Sequence, residues 1–154
     1  MKNRPQYIIW HHSGGPEGKP APTWADVTRW HEARGWRTVG YHFGVTPDGA
    51  IERGRDVSEA GAHVQGLNDR SVGVCLLGNF DHGQVPTEQF LAAVEITRVL
   101  QLIYGISHER VLGHRETGPL VPVEQRTKKQ CPGRHIDMGA VRSRLLQSIG
   151  EVTV

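Results

Sequence analysis

Cysteine is nearly missing from this chain: Cys75 and Cys131 are the only two among 154 residues. That scarcity excludes the disulfide-dense frameworks of small secreted domains, and a chain of this length can bury a sound core without covalent staples. An excess of one charge is missing too. The 18 basic and 16 acidic residues leave a formal net charge of +2, too small to imply a nucleic-acid partner. No run approaches the roughly 20 apolar residues of a membrane span, so no membrane insertion is expected. The start Met1-Lys2-Asn3-Arg4-Pro5 runs straight into a strand without a secretory hydrophobic region, which makes a reducing cytoplasm the expected place of synthesis and residence. Repeats and low-complexity segments are absent as well, and residues 1–154 read as one domain with no separate binding module.

What is present alternates between two periodicities. Gln6 to His11 is β-branched and aromatic and reads as a first strand. Ser13 to Pro22 is a loop rich in glycine and proline. Thr23 caps a helix to about Arg34, with Trp24, Val27, Trp30 and His31 on one face and Gly35 ending it. Tyr41 to Thr46 and Ala50 to Arg53 make a hairpin around Pro47-Asp48-Gly49. Ser71 to Gly78 is a near-continuous apolar run, the pattern of a strand covered on both faces. A second helix follows Pro86 and Thr87, with Phe90, Leu91, Val94, Leu100 and Ile103 as its expected buried side. Arg110 to Gly113 is a short strand, and Glu116 to Arg134 a long polar loop of the kind that often carries function. Asp137 opens a last helix through Val141, Leu145, Leu146 and Ile149. The expected fold is α/β, a central mixed β-sheet flanked by about three helices.

Three chemistry-bearing residues sit where short apolar runs give way to polar loops: His11, His114 and Cys131. Two imidazoles and a thiolate suit zinc, and three protein ligands leave a fourth position open, the count of a catalytic rather than a structural site. Nine histidines are present, so no single one is informative. His31 reads as a helix-face residue, and His82, His108 and His135 as loop or turn residues. His12, next to His11 on a strand, points to the opposite side. Cys75 lies inside an apolar run and reads as an inert core residue. Spacing alone leaves a Cys75–Cys131 pairing open; free thiols are preferred, because Cys131 between Gln130 and Pro132 is poorly placed for core packing.

From Tyr7 to Ile149 the sequence resembles the type 2 N-acetylmuramoyl-L-alanine amidases, which share a fold with the peptidoglycan-recognition proteins. Within that family it is most similar to the small amidase lysozymes (endolysins) of T-odd phages. The motifs occur in the family's order: Ile9-Trp10-His11-His12-Ser13, Trp30-His31 through Gly35-Trp36, Val39-Gly40-Tyr41-His42-Phe43, Gly61-Ala62-His63, Asn68 leading into Ser71-Val72-Gly73-Val74, Gly113-His114-Arg115-Glu116, and Lys129-Gln130-Cys131-Pro132-Gly133. The resemblance implies that His11, His114 and Cys131 hold Zn2+, that Tyr41 and Lys129 are catalytic, and that His63 and Asn68 lie near the substrate groove.

Amide hydrolysis needs an activated water, a steadied oxyanion and a proton for the leaving amine. A lysine ammonium can serve the oxyanion and a tyrosine hydroxyl the proton. Read without the resemblance, Tyr41 is a packed strand residue and Lys129 a solvated loop charge. Trp24, Trp30 and Trp36 read as core and hairpin packing rather than a sugar platform. What the resemblance implies, then, is a zinc-dependent amidase that cuts between N-acetylmuramic acid and L-alanine in peptidoglycan. A phage or prophage endolysin is the expected setting: a monomer held in the host cytoplasm until released to the cell wall. The rivals are a peptidoglycan-binding module without catalysis, a zinc peptidase acting on the stem peptide, and an intracellular regulator.

Overall fold

A computed structural model of the protein describes residues 1–147. The chain runs β1 (Tyr7–His12), α1 (Trp24–Glu32), β2 (Phe43–Val45), β3 (Ile51–Arg53), β4 (Ser71–Leu76), α2 (Thr87–Tyr104), β5 (Val111–Gly113) and α3 (Met138–Leu145). The strands form one mixed sheet in the order β3-β2-β4-β1-β5. β1 lies parallel to both β4 and β5, β2 is parallel to β4, and only the β2–β3 hairpin is antiparallel. The expected mixed sheet with three helices is what forms.

The central strands β1 and β4 are the most apolar and are buried along almost their whole length. Each alternates its side chains between two faces. On one face Ile8, Trp10, Val72, Val74 and Leu76 meet α2 and α3 through Ala93, Val94, Leu100, Met138 and Val141. On the other, Ile9 packs with Val64, Leu67 and Val121 at one end, and Cys75 with Val27, Val39 and Leu77 beneath α1 at the other. His11 belongs to this second face.

Local chemistry accounts for the element ends. Thr23 and Asp26 form a reciprocal capping box at the start of α1, satisfying two backbone N–H groups that the first turn leaves free. Asp137 caps α3 through the Ala140 N–H. Gly105 ends α2 in the left-handed conformation (φ 64°), which glycine reaches without a Cβ penalty.

Three expected core positions do not hold. Leu91 and Ile103 are 43% and 63% exposed, because the buried side of α2 is rotated toward Gln89, Ala93, Thr97 and Leu100. Two polar residues set that rotation. The Gln89 amide donates to the Val45 and Leu77 carbonyls, and Trp10 Nε1 donates to Thr97 Oγ1 at 3.0 Å. Beyond the helix, Ile106 takes the buried place expected for Ile103. On α3, Val141 and Leu145 face inward at i, i+4, and Leu146, one residue further round, is 62% exposed. Ile149 lies outside the described residues.

Candidate metal centre and its cleft

The site forms where β1 and β5 end side by side. Their parallel register pairs Trp10 with Gly113, so the residues that follow, His11 still paired with Cys75 of β4 and His114 opening a turn after β5, stand as neighbours with ring centroids 4.9 Å apart. His114 begins a single 3-10 turn whose geometry Glu116 secures. That carboxylate accepts from the Gly113 N–H at 2.9 Å and takes two 2.8 Å bonds from Arg142 of α3. A bidentate, partly buried pair of this kind is stronger and more directional than a surface ion pair.

The third donor comes from the long loop, and Arg115 holds it in place. The Arg115 backbone N–H donates to the Cys131 carbonyl at 2.8 Å. Its guanidinium reaches the carbonyls of Gln130, Gly133 and Ile136. Gly113 lets the loop approach, since a Cβ there would stand 2.8 Å from Pro132 Cδ. The nitrogen and sulfur donors of His11, His114 and Cys131 consequently lie within 4.8 Å of one another.

Cys131 Sγ is 3.6 Å from His11 Nδ1. Zinc bond lengths to nitrogen and sulfur in a tetrahedron require a separation of about 3.6 Å, so this donor set fits the metal. The electrostatics agree. Burial, reinforced by the charges of neighbouring histidines, holds His11 well below the usual imidazole range, and burial brings His114 down to about 4. Both rings are therefore neutral with lone pairs to give. Burial pushes the Cys131 thiol up to about 12 against the opposing pull of the His12 N–H, Arg115 and Lys129; a cation would displace its proton. Cys75 and Cys131 are both free and buried, as expected.

The donors open into a cleft of about 560 Å³. All seven residues singled out by sequence line it: His11, His114 and Cys131 at the floor, with Tyr41, His63, Asn68 and Lys129 around them. The Tyr41 ring lies 5.0 Å from that of His11, and burial holds its hydroxyl protonated, well above the usual range. Lys129 is exposed at the rim, its backbone N–H tied to Thr127 Oγ1. His63 meets the donor triangle directly, with Nδ1 2.8 Å from His11 Nε2. Asn68 Oδ1 accepts from the backbone N–H groups of His63 and Val64 at 2.8 and 2.9 Å.

Other histidines behave as structural residues. His31 Nδ1 accepts from the Gly40 N–H at 2.8 Å, and His12, on the other side of β1, accepts from the Phe80 N–H. The tryptophans divide. Trp24 packs under the hairpin, where a Cβ on Gly44 would come within 2.4 Å of its ring. Trp30, by contrast, is 45% exposed and lines the cleft with Arg34 and Trp36, and the Arg34 guanidinium sits 5.3 Å over the Trp36 ring. The core reading of Trp30 is corrected: the two cleft tryptophans lie at and beyond the end of α1, where little covers them. Sequence reasoning also misses Arg115, which holds the Cys131 loop, although it stands inside a quoted motif.

The mixed sheet, covered on both faces, opens at one corner where His11, His114 and Cys131 could hold a metal ion. The match that specifies the class is broad. The family model for N-acetylmuramoyl-L-alanine amidase covers residues 1–134, and the chain belongs to that family. The endolysin of Escherichia phage T7 is 46% identical over 110 residues, 70% of this chain and 67% of that protein. Among solved structures, the amidase LysC from Clostridium intestinale superposes with a TM-score of 0.77 at 27% identity, covering 93% of this chain and 86% of that one. The Drosophila recognition protein PGRP-LB, as a single-residue mutant in complex with tracheal cytotoxin, gives a TM-score of 0.71 at 26% identity, covering 93% of this chain and 82% of that one.

Proposed function

We propose that this chain hydrolyses the amide between the lactyl group of N-acetylmuramic acid and L-alanine in peptidoglycan, with zinc held by His11, His114 and Cys131. The observation that carries the reading is the neutral, converging donor triangle at the floor of an open cleft, in a member of the amidase family. The likeness to PGRP-LB bound to tracheal cytotoxin supports a muropeptide as the occupant. Zinc, when bound, supplies Lewis acidity toward a carbonyl oxygen and a water whose pKa is lowered to about 7.

The chain's own side chains do the rest. Tyr41, kept protonated by burial, donates a hydrogen bond to the reacting amide. The Lys129 ammonium at the rim places positive charge where the carbonyl oxygen becomes negative, a stabilisation that counts for more in a water-poor cleft. His63 supports the metal-site floor. Asn68, spending its oxygen on the loop backbone, turns its amide N–H groups to the substrate. Trp30 and Trp36 form the wall along which the polymer lies.

In this reading the protein is a phage or prophage lysin that acts as a monomer after release to the wall, by a route that another gene product opens. No helix among the described residues is long and apolar enough to cross a membrane. Digestion of purified sacculi tests the activity: new alanine amino termini should appear without new reducing ends, and reducing ends alone would reject it.

A further inference from the structure

The metal-site histidine is the middle of a longer chain of hydrogen bonds, and the direction of that chain follows from one hydroxyl. Ser71 Oγ, fully buried on β4, lies 2.7 Å from the Leu67 carbonyl and 3.2 Å from His63 Nε2. The Leu67 carbonyl can only accept, and the Arg70 N–H already fixes it at 3.1 Å. A hydroxyl carries one proton. It goes to Leu67, so Ser71 must accept from His63, whose proton therefore sits on Nε2. A neutral ring then has a bare Nδ1, which accepts at 2.8 Å from His11 Nε2. His11 is left with its lone pair on Nδ1, the nitrogen that faces Cys131 Sγ at 3.6 Å. With no cation bound, the thiol proton fills that last gap.

We infer that Ser71 and His63 are positioning residues that fix His11 as the tautomer able to bind a metal through Nδ1. Four side chains donate in one direction, Cys131 to His11 to His63 to Ser71, and the chain ends on the Leu67 carbonyl. Were it reversed, a proton on His63 Nδ1 would oblige neutral His11 to carry its own on Nδ1, blocking ligation.

The surroundings are built to keep the His63 ring in this place. A Cβ on Gly73, in the middle of β4, would stand 2.8 Å from His63 Cγ, and one on Gly61 2.6 Å from Cδ2. Both glycines leave the flat slot that the ring fills. Asn68 holds the His63 backbone N–H from below. Glycine and serine are unfavourable in an apolar strand such as β4, and here they make room for this imidazole and bond to it.

The inference rests on the zinc reading for its consequence but not for its test. Long-range proton–nitrogen NMR of the 15N-labelled, metal-free protein at about pH 7.5 should show His11 and His63 both protonated on Nε2 alone. A proton on His63 Nδ1, or an imidazolium in either ring, overturns the inference whether or not Ser71 variants fold. In zinc competition against a chelator, Ser71→Ala should bind up to about 10-fold more weakly than wild type, the low end of the roughly 10–100-fold cost of losing a ligand's direct outer partner, because Ser71 reaches His11 only through His63. Its His11 should also become a mixture of tautomers. Wild-type affinity and a single His11 tautomer in folded Ser71→Ala would overturn the assignment. Failure of the wild-type protein to bind zinc at all would instead sink the metal reading and leave the NMR result standing.

Discussion

The two faces of the sheet are built to opposite rules. Among the described residues, the face under α2 and α3 buries fifteen in one continuous apolar cluster. The other face carries two clusters of four, one at each end. Between them runs a polar strip with His11, His63 and His42 beside Ser71 and Gly73. The difference teaches where stability and chemistry are kept. Burial on the first face is mostly non-directional, with Gln89 and Thr97 making its few directed bonds, whereas each ring on the second must meet a particular partner or stand buried and unsatisfied.

Separating the faces by mutation gives the largest expected effect. Cys131→Ser should lose stoichiometric zinc and hydrolytic activity together, while the metal-free protein unfolds near the wild-type urea midpoint. Full activity with zinc retained would contradict ligation by the sulfur. On the opposite face Leu100→Ala should do the reverse. It should cost about 2–5 kcal/mol of stability, as large-to-small core changes do, yet leave zinc affinity of the folded fraction unchanged in chelator competition. A loss of affinity there would show that the faces are coupled.

A smaller effect sharpens the division within the cleft. Lys129→Ala should keep its zinc and slow sacculus hydrolysis by roughly 100-fold, the scale for losing one group that stabilises a developing oxyanion. An unchanged rate removes Lys129 from the mechanism.

Acid gives the mildest probe. Burial lowers the pKa of His11, His31, His42, His63 and His114, all on or beside the polar strip. Unfolded histidines titrate near 6.5, so the unfolded chain takes up protons first as pH falls. Stability of the metal-free protein should be level above about pH 6.5 and decline below it; for His31 the decline ends near its folded value of about 4. His31→Asn retains an acceptor for the Gly40 N–H but does not titrate, so its urea midpoint should fall less steeply between about pH 7 and 4.5. An equal slope would assign the acid sensitivity to the other rings.

Much of this is legible in the residues. The Thr23–Asp26 box, the Pro47-Asp48-Gly49 hairpin and the apolar run of β4 are local patterns whose physics acts within a few residues. His11 and His114 stand out because each ends an apolar segment, and Cys131 because it is a cysteine in a polar loop; the structure brings the three together. The misses are of another kind. Hydrophobicity alone places Leu91 and Ile103 inside, but Gln89 and Thr97 turn α2 by bonding to distant strands. The same reasoning puts Trp30 in the core, because nothing in its neighbourhood reveals that its side of α1 faces an open cleft.

The sequence by itself determined the elements, their caps and the donor types, because propensity, capping and side-chain chemistry are properties of short stretches. Only the tertiary structure decided which donors share a corner, which ring nitrogen of His11 faces Cys131 and why Ser71, 60 residues away in the chain from His11, bears on it. Those outcomes depend on the parallel register of β1 against β4 and β5, a long-range pairing that no local pattern encodes.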